Sequence, residues 1–255
     1  MDRKSSILAT ARRDGRVSVD ALAEEFGVSA HTIRRDINEL CEASKLRRLH
    51  GGAEFVETGN LPYGARAVLN IAAKRAIAAR VAARVPDGAT LFLSVGTTPA
   101  LVAAALTERN ALTVVTNNLN AAIALAENPT NRILLPGGEL RLPDRDLLGE
   151  TAVALFSAYR ADFGIYGAGG VDRDGALLDF SADEVRARES VRANSRCAVF
   201  VADRSKFGRS APAVGGALQD ADVVAIDRRP DGAHARLVDN LPGEVLVACD
   251  PEASA

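Results

Sequence analysis

Cysteine and lysine are scarce in this chain, and long apolar runs are missing altogether. The three cysteines, Cys41, Cys197 and Cys249, are odd in number and far apart, with no Cys-x-x-Cys. That pattern argues against a disulfide framework and against a metal site, and the expectation is a reduced, cytoplasmic protein whose thiols are small core residues. No stretch approaches the ~20 consecutive apolar residues of a membrane span. The start, Met1-Asp2-Arg3-Lys4-Ser5-Ser6, lacks the apolar core of a signal peptide, so no membrane partner is expected. None of the four lysines follows a glycine, which rules out a Walker phosphate loop, and no Gly-x-Ser-x-Gly surrounds Ser94, which rules out a hydrolase elbow. A basic surplus is missing too: 31 Lys+Arg stand against 33 Asp+Glu, for a net charge of −2.

What remains is an ordinary globular composition, 47% hydrophobic and 25% charged, over 255 residues. That length has room for one large domain, or for a small one followed by a larger one. No internal repeat and no low-complexity tract interrupts it.

The most informative run is Val28 to Leu40. Ile33, Ile37 and Leu40 recur at i, i+4 and i+7, so they share one face of a helix, with Ser29 placed to cap its start. His31, Thr32, Arg34, Arg35 and Asn38 point elsewhere, and these side chains hydrogen-bond to base edges and phosphates. Ser18 to Phe26 reads as a preceding short helix, with Gly27 as the turn, and Lys4 to Arg13 as a first helix stopped by Asp14-Gly15. Leu46 to Ala53 alternates around Gly51-Gly52 as a small β-wing. The pattern predicts a winged helix-turn-helix domain over residues 1–57 with double-stranded DNA as partner. Residues 1–56 carry 10 Lys+Arg and 9 Asp+Glu, so charge alone does not force this reading. Its arrangement does, because Lys45 to His50 holds no acid; Arg47, Arg48 and His50 are expected to track phosphates or the adjacent minor groove.

Beyond a linker, expected over residues 58–75 together with the start of a connecting helix (Ala72 to Val85), strands and helices alternate. Strands are predicted at Thr90–Ser94, Thr113–Thr116, Arg132–Leu135, Ala161–Tyr166, Cys197–Ala202 and Asp222–Ile226, with Glu244–Ala248 as an edge strand. Helices are predicted at Pro99–Leu106, Asn118–Ala126, Thr151–Ser157 and Asp183–Asn194. This rhythm predicts an α/β domain, residues 76–255, built on a mostly parallel sheet covered on both faces.

Ligands of such sheets bind beyond the carboxyl ends of the strands. Four loops leave those ends with small or polar residues: Ser94-Val95-Gly96-Thr97-Thr98, Thr116-Asn117-Asn118, Pro136-Gly137-Gly138-Glu139 and Asp203-Arg204-Ser205-Lys206. The candidate effector residues are Ser94, Gly96, Thr97, Thr98, Asn117, Asn118, Gly137, Gly138, Glu139, Asp203 and Lys206. Amides and carboxylates suit hydroxyls; a helix start and Lys206 suit a phosphate. A capped turn accounts equally well for Gly-Thr-Thr, a plain turn accounts better for Gly137-Gly138 alone, and Tyr166 to Gly170 reads as a turn. Lys206 stands out because the chain uses 27 arginines and only four lysines, which points to a need for a compact ammonium.

Val28 to Leu40, with Leu22-Ala23-Glu24-Glu25-Phe26 before it and His50-Gly51-Gly52-Ala53 after it, resembles the helix-turn-helix and wing of DeoR-family bacterial repressors. Val95–Thr98, Val115–Leu119, Gly137–Leu140, Leu148–Glu150 and Asp203–Gly208 are similar to that family's sensor domain. The resemblance covers nearly the whole chain, with a poor match past Asp227. It implies a repressor, acting as a homodimer or homotetramer, that leaves its operator when a phosphorylated metabolite binds, with no cofactor. Thr116–Asn120, Asp162–Gly164, Glu184–Arg186 and Ser205–Arg209 resemble members governing glycerol use, which implies sn-glycerol 3-phosphate as inducer; another sugar phosphate is the alternative. One position departs: the family places an Asp two residues before Gly-Thr-Thr, where this chain has Ser94. The sensor also resembles ribose-5-phosphate isomerase at Gly96–Thr98 and Asp203–Lys206. An isomerase needs a carboxylate base; Glu184 or Glu189 could be proposed, but neither has that enzyme's Gly-rich setting. No catalytic residue is therefore expected.

Overall fold

The computed structural model describes residues 3–42, 46–49, 51–55 and 60–249. The chain divides into two units, Met1–Asn60 and Leu61–Ala255.

In the first unit, α1 (Arg3–Asp14), β1 (Arg16–Ser18), α2 (Val19–Phe26), α3 (Ala30–Glu42), β2 (Leu46–Leu49) and β3 (Gly52–Phe55) follow in order. Ile33, Ile37 and Leu40, the stripe expected on one face, are buried with Ile7, Ala11, Leu22 and Leu46. Ser18 caps α2, its side chain accepting from Ala21 N. Gly27 follows in the left-handed region at φ 62°, where its N–H closes the helix onto Ala23 and Glu24 carbonyls. The wing is an antiparallel sheet in the order β1-β3-β2.

The second unit opens with two helices, α4 (Tyr63–Val68) and α5 (Ile71–Ala82). Here a linker was expected, and the stretch is instead folded onto the domain. Tyr63 N donates to Pro143 O at 2.9 Å, and Arg66 Nε donates to Leu61 O at 2.8 Å. The apolar side chains at the end of α4, Val68 and Leu69, are exposed, so no buried stripe betrays the helix in the sequence.

Then come β4 (Thr90–Leu93), α6 (Thr97–Ala105), β5 (Thr113–Thr116), α7 (Leu119–Ala126), β6 (Arg132–Leu134), α8 (Glu150–Ser157) and β7 (Ala161–Tyr166). The remainder is β8 (Gly170–Val171), β9 (Ala176–Asp179), α9 (Ala182–Ala193), β10 (Ser195–Ala202), β11 (Ala213–Ala217), β12 (Val223–Ile226), α10 (Ala233–Asp239) and β13 (Glu244–Val247). Seven strands form one sheet in the order β13-β12-β10-β7-β4-β5-β6. Every pairing in it is parallel.

Alternation along the strands feeds two cores. Leu91 and Leu93 pack with α5, α6 and α7 through Ile77, Val102 and Leu125. Phe92 lies on the opposite face with Phe156 of α8 and Val191 of α9. A second sheet, β11-β9-β8, is antiparallel and was not expected. β8 has two residues and β11 reads Ala-Val-Gly-Gly-Ala, too short and too glycine-rich to show a strand pattern.

Candidate DNA-reading surface and effector site

Ser29 Oγ accepts from Thr32 N at 3.2 Å and lies 2.9 Å from Thr32 Oγ1, so both hydroxyls fasten the start of α3. His31, Arg34, Arg35 and Asn38 are exposed along it. Two acids of the helix, Asp36 and Glu39, are neutralised from within the unit. Buried Asp36 accepts from Arg3, while Glu39 pairs with Lys4 at 2.7 Å and Arg35 at 3.3 Å. Lys4 and then Arg35 hold the Glu39 carboxyl below its usual range. What α3 offers outward from His31 to Asn38 is therefore cationic and amide-bearing despite an even charge balance. Asn38 Oδ1 accepts from Arg48 Nη1, which fastens the wing to the helix and leaves the amide donors of Asn38 for another partner. Arg47 lies in β2, while His50 is outside the described residues.

In the second unit the strand order reverses between β4 and β7, the place where such sheets take ligands. Asn118, leaving β5, donates to Ser94 O at 3.1 Å and Gly96 O at 2.9 Å. Its Oδ1 accepts from Asn120 N and Ala121 N at the start of α7. Both amide hydrogens and both acceptor directions are thus engaged, and Asn118 positions two loops rather than facing a ligand. Asn117 differs: its amide donates to Leu147 O at 3.0 Å, but its buried Oδ1 has no partner among the described residues. The Ser94 hydroxyl, in a side chain 1% exposed, is likewise unpartnered among them. Gly96 adopts φ 118° ahead of Thr97 and Thr98, which are buried in the first turn of α6. Ser94 Oγ and Asn117 Oδ1 are thus two buried polar atoms with unused hydrogen-bonding capacity at the switch point.

The Gly137 carbonyl accepts from Thr151 Oγ1 at 2.8 Å, and Gly137, Gly138 and Glu139 are all exposed. Among the described residues Glu139 makes no hydrogen bond to the other loops. The segment running alongside Asn117 and Asn118 is the next one, where Leu119 N donates to Arg145 O and Leu147 N to Asn117 O. Arg141 pins this segment through Asp146 at 2.7 Å and reaches Glu184 at 3.0 Å.

Lys206 follows Asp203, whose carboxylate accepts from Ser205 N, Ser205 Oγ and Asn70 Nδ2. Asp203 Oδ1 is thereby occupied in capping its own turn and in holding Asn70. No ion pair joins Lys206 to a carboxylate among the described residues. Burial, then the charges of Arg209, Arg66 and Lys74, push its ammonium down to about 7, with Asp203 opposing them. Lys74 is 3% exposed and donates to Arg66 O at 2.6 Å and Thr97 Oγ1 at 3.1 Å. Burial pushes its pKa down as well, against the pull of Asp203. Arg209 donates to Gly169 O at 3.1 Å and stacks over Phe180, 4.9 Å from the ring centroid.

Arg66, Asn70, Lys74 and Arg209 were absent from the sequence-derived set. One signal could have found Lys74: it is another of the four lysines, in a segment that otherwise uses arginine. The isomerase alternative loses its base. Glu184 is taken by Arg141 and by the N–H groups of Phe180 and Ser181, and Glu189 by Arg188 and Arg192. Among the described residues there is no group of His, Cys, Asp and Glu suited to a metal, and no helix long and apolar enough to cross a membrane.

A winged helix presenting a cationic recognition helix, followed by a parallel α/β domain with an anion-suited strand-end site, defines a metabolite-responsive transcription regulator. The chain belongs to the DeoR family. Residues 3–59 match the DeoR-like helix-turn-helix domain and residues 69–228 the DeoR C-terminal sensor domain. The glycerol-3-phosphate regulon repressor of Escherichia coli (strain K12) is 43% identical over 229 residues, 89% of this chain and 91% of that protein. The repressor of the same name from Haemophilus influenzae is 40% identical over 231 residues, 90% of each chain. The transcriptional repressor CsqR of Escherichia coli is 34% identical, covering 93% of this chain and 92% of its own length. Among solved structures, ribose 5-phosphate isomerase of Methanocaldococcus jannaschii aligns with a TM-score of 0.40 at 17% identity, over 54% of this chain and 55% of that one. The chain is a DNA-binding transcriptional repressor, and its relatives named above are repressors rather than enzymes.

Proposed function

We propose that this repressor controls genes of glycerol use and leaves its operator when sn-glycerol 3-phosphate binds the sensor domain. The observation that carries this is the combination of 43% identity to a glycerol-3-phosphate regulon repressor with a strand-end site of matching chemistry. Lys206, Arg209 and the start of α6 suit a phosphate; the Ser94 hydroxyl and Asn117 Oδ1 suit two adjacent hydroxyls. Thr97, Thr98 and Gly96 shape the helix start, Asn118 and Asp203 hold the loops, and Gly137, Gly138 and Glu139 form the outer edge. On the DNA side, His31, Arg34, Arg35 and Asn38 read bases, with Arg47, Arg48 and His50 on the backbone. Induction is a linkage: the effector binds the DNA-incompetent arrangement more tightly than the competent one. We propose further that the protein acts as a homodimer or homotetramer, since paired recognition helices read half-sites one helical turn apart; sedimentation with and without operator tests this.

The functional test is operator release measured over glycerol 3-phosphate, fructose 1-phosphate, fructose 1,6-bisphosphate and ribose 5-phosphate. Release by glycerol 3-phosphate at the lowest concentration supports the reading. A second reading, a different sugar phosphate, is favoured by Ser94 standing where the family has Asp, and release by another compound in the panel establishes it.

A further inference from the structure

Residues 140–147 run alongside the end of β5 and the start of α7 as a short strap held by one arginine. Arg141 Nε donates to Asp146 Oδ1 at 2.7 Å and its Nη2 to Asp146 Oδ2 at 2.8 Å, a two-pronged contact. The same Nη2 donates to Glu184 Oε1 at 3.0 Å. Glu184 is a fixed post, because its Oε2 accepts from Phe180 N and Ser181 N in the capping box of α9. The strap also closes on itself, Arg141 N donating to Asp146 O at 2.8 Å. Arg141 is badly placed to bind an anion itself. Asp144, Asp146 and Glu184 surround it, with Arg66 on Asp144 as the other cation, so three carboxylates face two guanidiniums.

What the strap holds is Asn117. Leu147 N donates to Asn117 O at 2.9 Å, and Asn117 Nδ2 donates to Leu147 O at 3.0 Å. A carbonyl only accepts, so the amide nitrogen of Asn117 has to face Leu147, and Oδ1 is the atom left without a partner among the described residues. Leu147 adjoins Asp146 in the chain, so the arginine fork and the Asn117 amide act on one short stretch of backbone. Asn120 repeats the arrangement more weakly. Its Oδ1 accepts from Arg145 Nη1 of the strap at 3.4 Å, and its buried Nδ2 has no partner among the described residues.

Resting on the effector reading above, we propose that Arg141 is a positioning residue which, by locking the strap onto α9, aims the Asn117 amide and so sets recognition of the hydroxyls of a phosphorylated polyol. The phosphate is outside its reach. The physical chain runs from Glu184 through Arg141, Asp146 and Leu147 to Asn117 Oδ1. A planar guanidinium fixes both oxygens of Asp146 and one of Glu184 at once, where an ammonium supplies a point charge without that fork. Precision matters here, since a shift of about 1 Å in Oδ1 is enough to break a hydrogen bond of ordinary length.

The test uses the full-length chain with Arg141→Lys, Asn117→Ala and the two combined. Titration calorimetry gives affinities for glycerol 3-phosphate and for inorganic phosphate, which has no carbon-borne hydroxyl. Arg141→Lys is expected to weaken glycerol 3-phosphate by about fivefold to tenfold, the worth of one hydrogen bond, and to leave inorganic phosphate within about twofold. In the Asn117→Ala background the same substitution should cost less than about twofold more, because the group that it positions has gone. An equal loss for both ligands, or a full further loss on top of Asn117→Ala, overturns the proposal. So does an unaltered glycerol 3-phosphate affinity in Arg141→Lys. Asp146→Asn repeats the comparison should the lysine variant fail to fold. The inducer assignment fails separately. If fructose 1-phosphate, fructose 1,6-bisphosphate or ribose 5-phosphate binds the wild type more tightly than glycerol 3-phosphate does, that assignment falls, and a loss of that compound in Arg141→Lys still supports the positioning role. If none of the four binds more tightly than inorganic phosphate, no hydroxyl is read and the positioning role falls. Release of wild type and Arg141→Lys from operator at the same glycerol 3-phosphate concentration keeps the inducer and sinks the positioning role.

Discussion

Asn70 Nδ2 donates to Asp203 Oδ1 at 2.9 Å, joining the corner between α4 and α5 to a loop 133 residues further along the chain. Two costs meet at this contact, a left-handed backbone at a non-glycine residue and the burial of a carboxylate, and each is stabilised by the other. Replacing Asn70 with Ala removes the bond and keeps the strain. Asn70→Ala is expected to lose about 1–3 kcal/mol of stability, the range for a hydrogen bond to a charged group. Asn70→Gly should lose less, because glycine adopts the left-handed region freely. Urea unfolding of both variants measures the difference; equal losses would show that the backbone conformation is not a factor.

On α3 the paired and the free charges have separate tasks. Arg34 has no described partner, whereas Arg35 is shared with Glu39 at 3.3 Å, a bond easily exchanged on an exposed face. Arg34→Ala and Arg35→Ala are each expected to cost about 1–3 kcal/mol of operator discrimination if the side chain reads a base. A phosphate contact instead weakens all sequences alike and lowers the salt dependence. Binding to operator and to scrambled DNA over a salt series separates the two roles, with thermal melts confirming that the fold is retained.

Burial and the neighbouring Arg209 push the Lys206 ammonium down to about 7, against an ordinary value of 10.5. Its folded-state pKa is depressed, so between those values the unfolded chain binds more protons than the folded one. Stability therefore rises with pH from about 7 to 10.5, and below 7 the cost of the buried charge is present in full. The charged groups acting on it are Arg209, Asp203, Arg66 and Lys74. Removing the amine in Lys206→Met is expected to flatten that rise, as read from urea midpoints at several pH values. A phosphate dianion prefers the charged amine, so wild-type effector affinity should fall above pH 7 with uptake of a proton on binding. Titration calorimetry in buffers of different ionisation enthalpy detects that proton, and a null result shows that Lys206 is already charged before the effector binds.

The parts legible in the sequence were those whose signal is local. The stripe Ile33, Ile37, Leu40 gave the recognition helix, and the apolar strand runs gave the parallel sheet, because each is a periodicity within one element. The strand-end loops around Ser94, Asn117 and Lys206 were likewise found by their position after such runs. Their division of labour was not, since Asn117 and Asn118 are adjacent and chemically identical. Only the tertiary structure shows that Asn118 is fully engaged while Asn117 Oδ1 is not. Arg66 was hidden because α4 exposes its apolar side chains and reads as a linker, so nothing marked its polar residues as facing a site.

That contrast between neighbouring asparagines, together with Ser94, supplies the sharpest check on the site. Asn118→Ala removes a helix cap and two bonds to the β4 loop, so stability should fall by about 2–3 kcal/mol and effector affinity with it. Ser94→Ala removes a hydroxyl with no partner among the described residues, so the unfolding free energy should change by less than about 0.5 kcal/mol. Its effector affinity should nonetheless drop several-fold, because a ligand hydroxyl loses its partner. Asn117→Ala lies between, losing the bond to Leu147 O and the acceptor facing the site. Unfolding curves and titrations on the same three variants give both numbers. If Ser94→Ala loses stability but binds effector as the wild type does, the hydroxyl is part of the scaffold and the ligand's hydroxyls lie elsewhere.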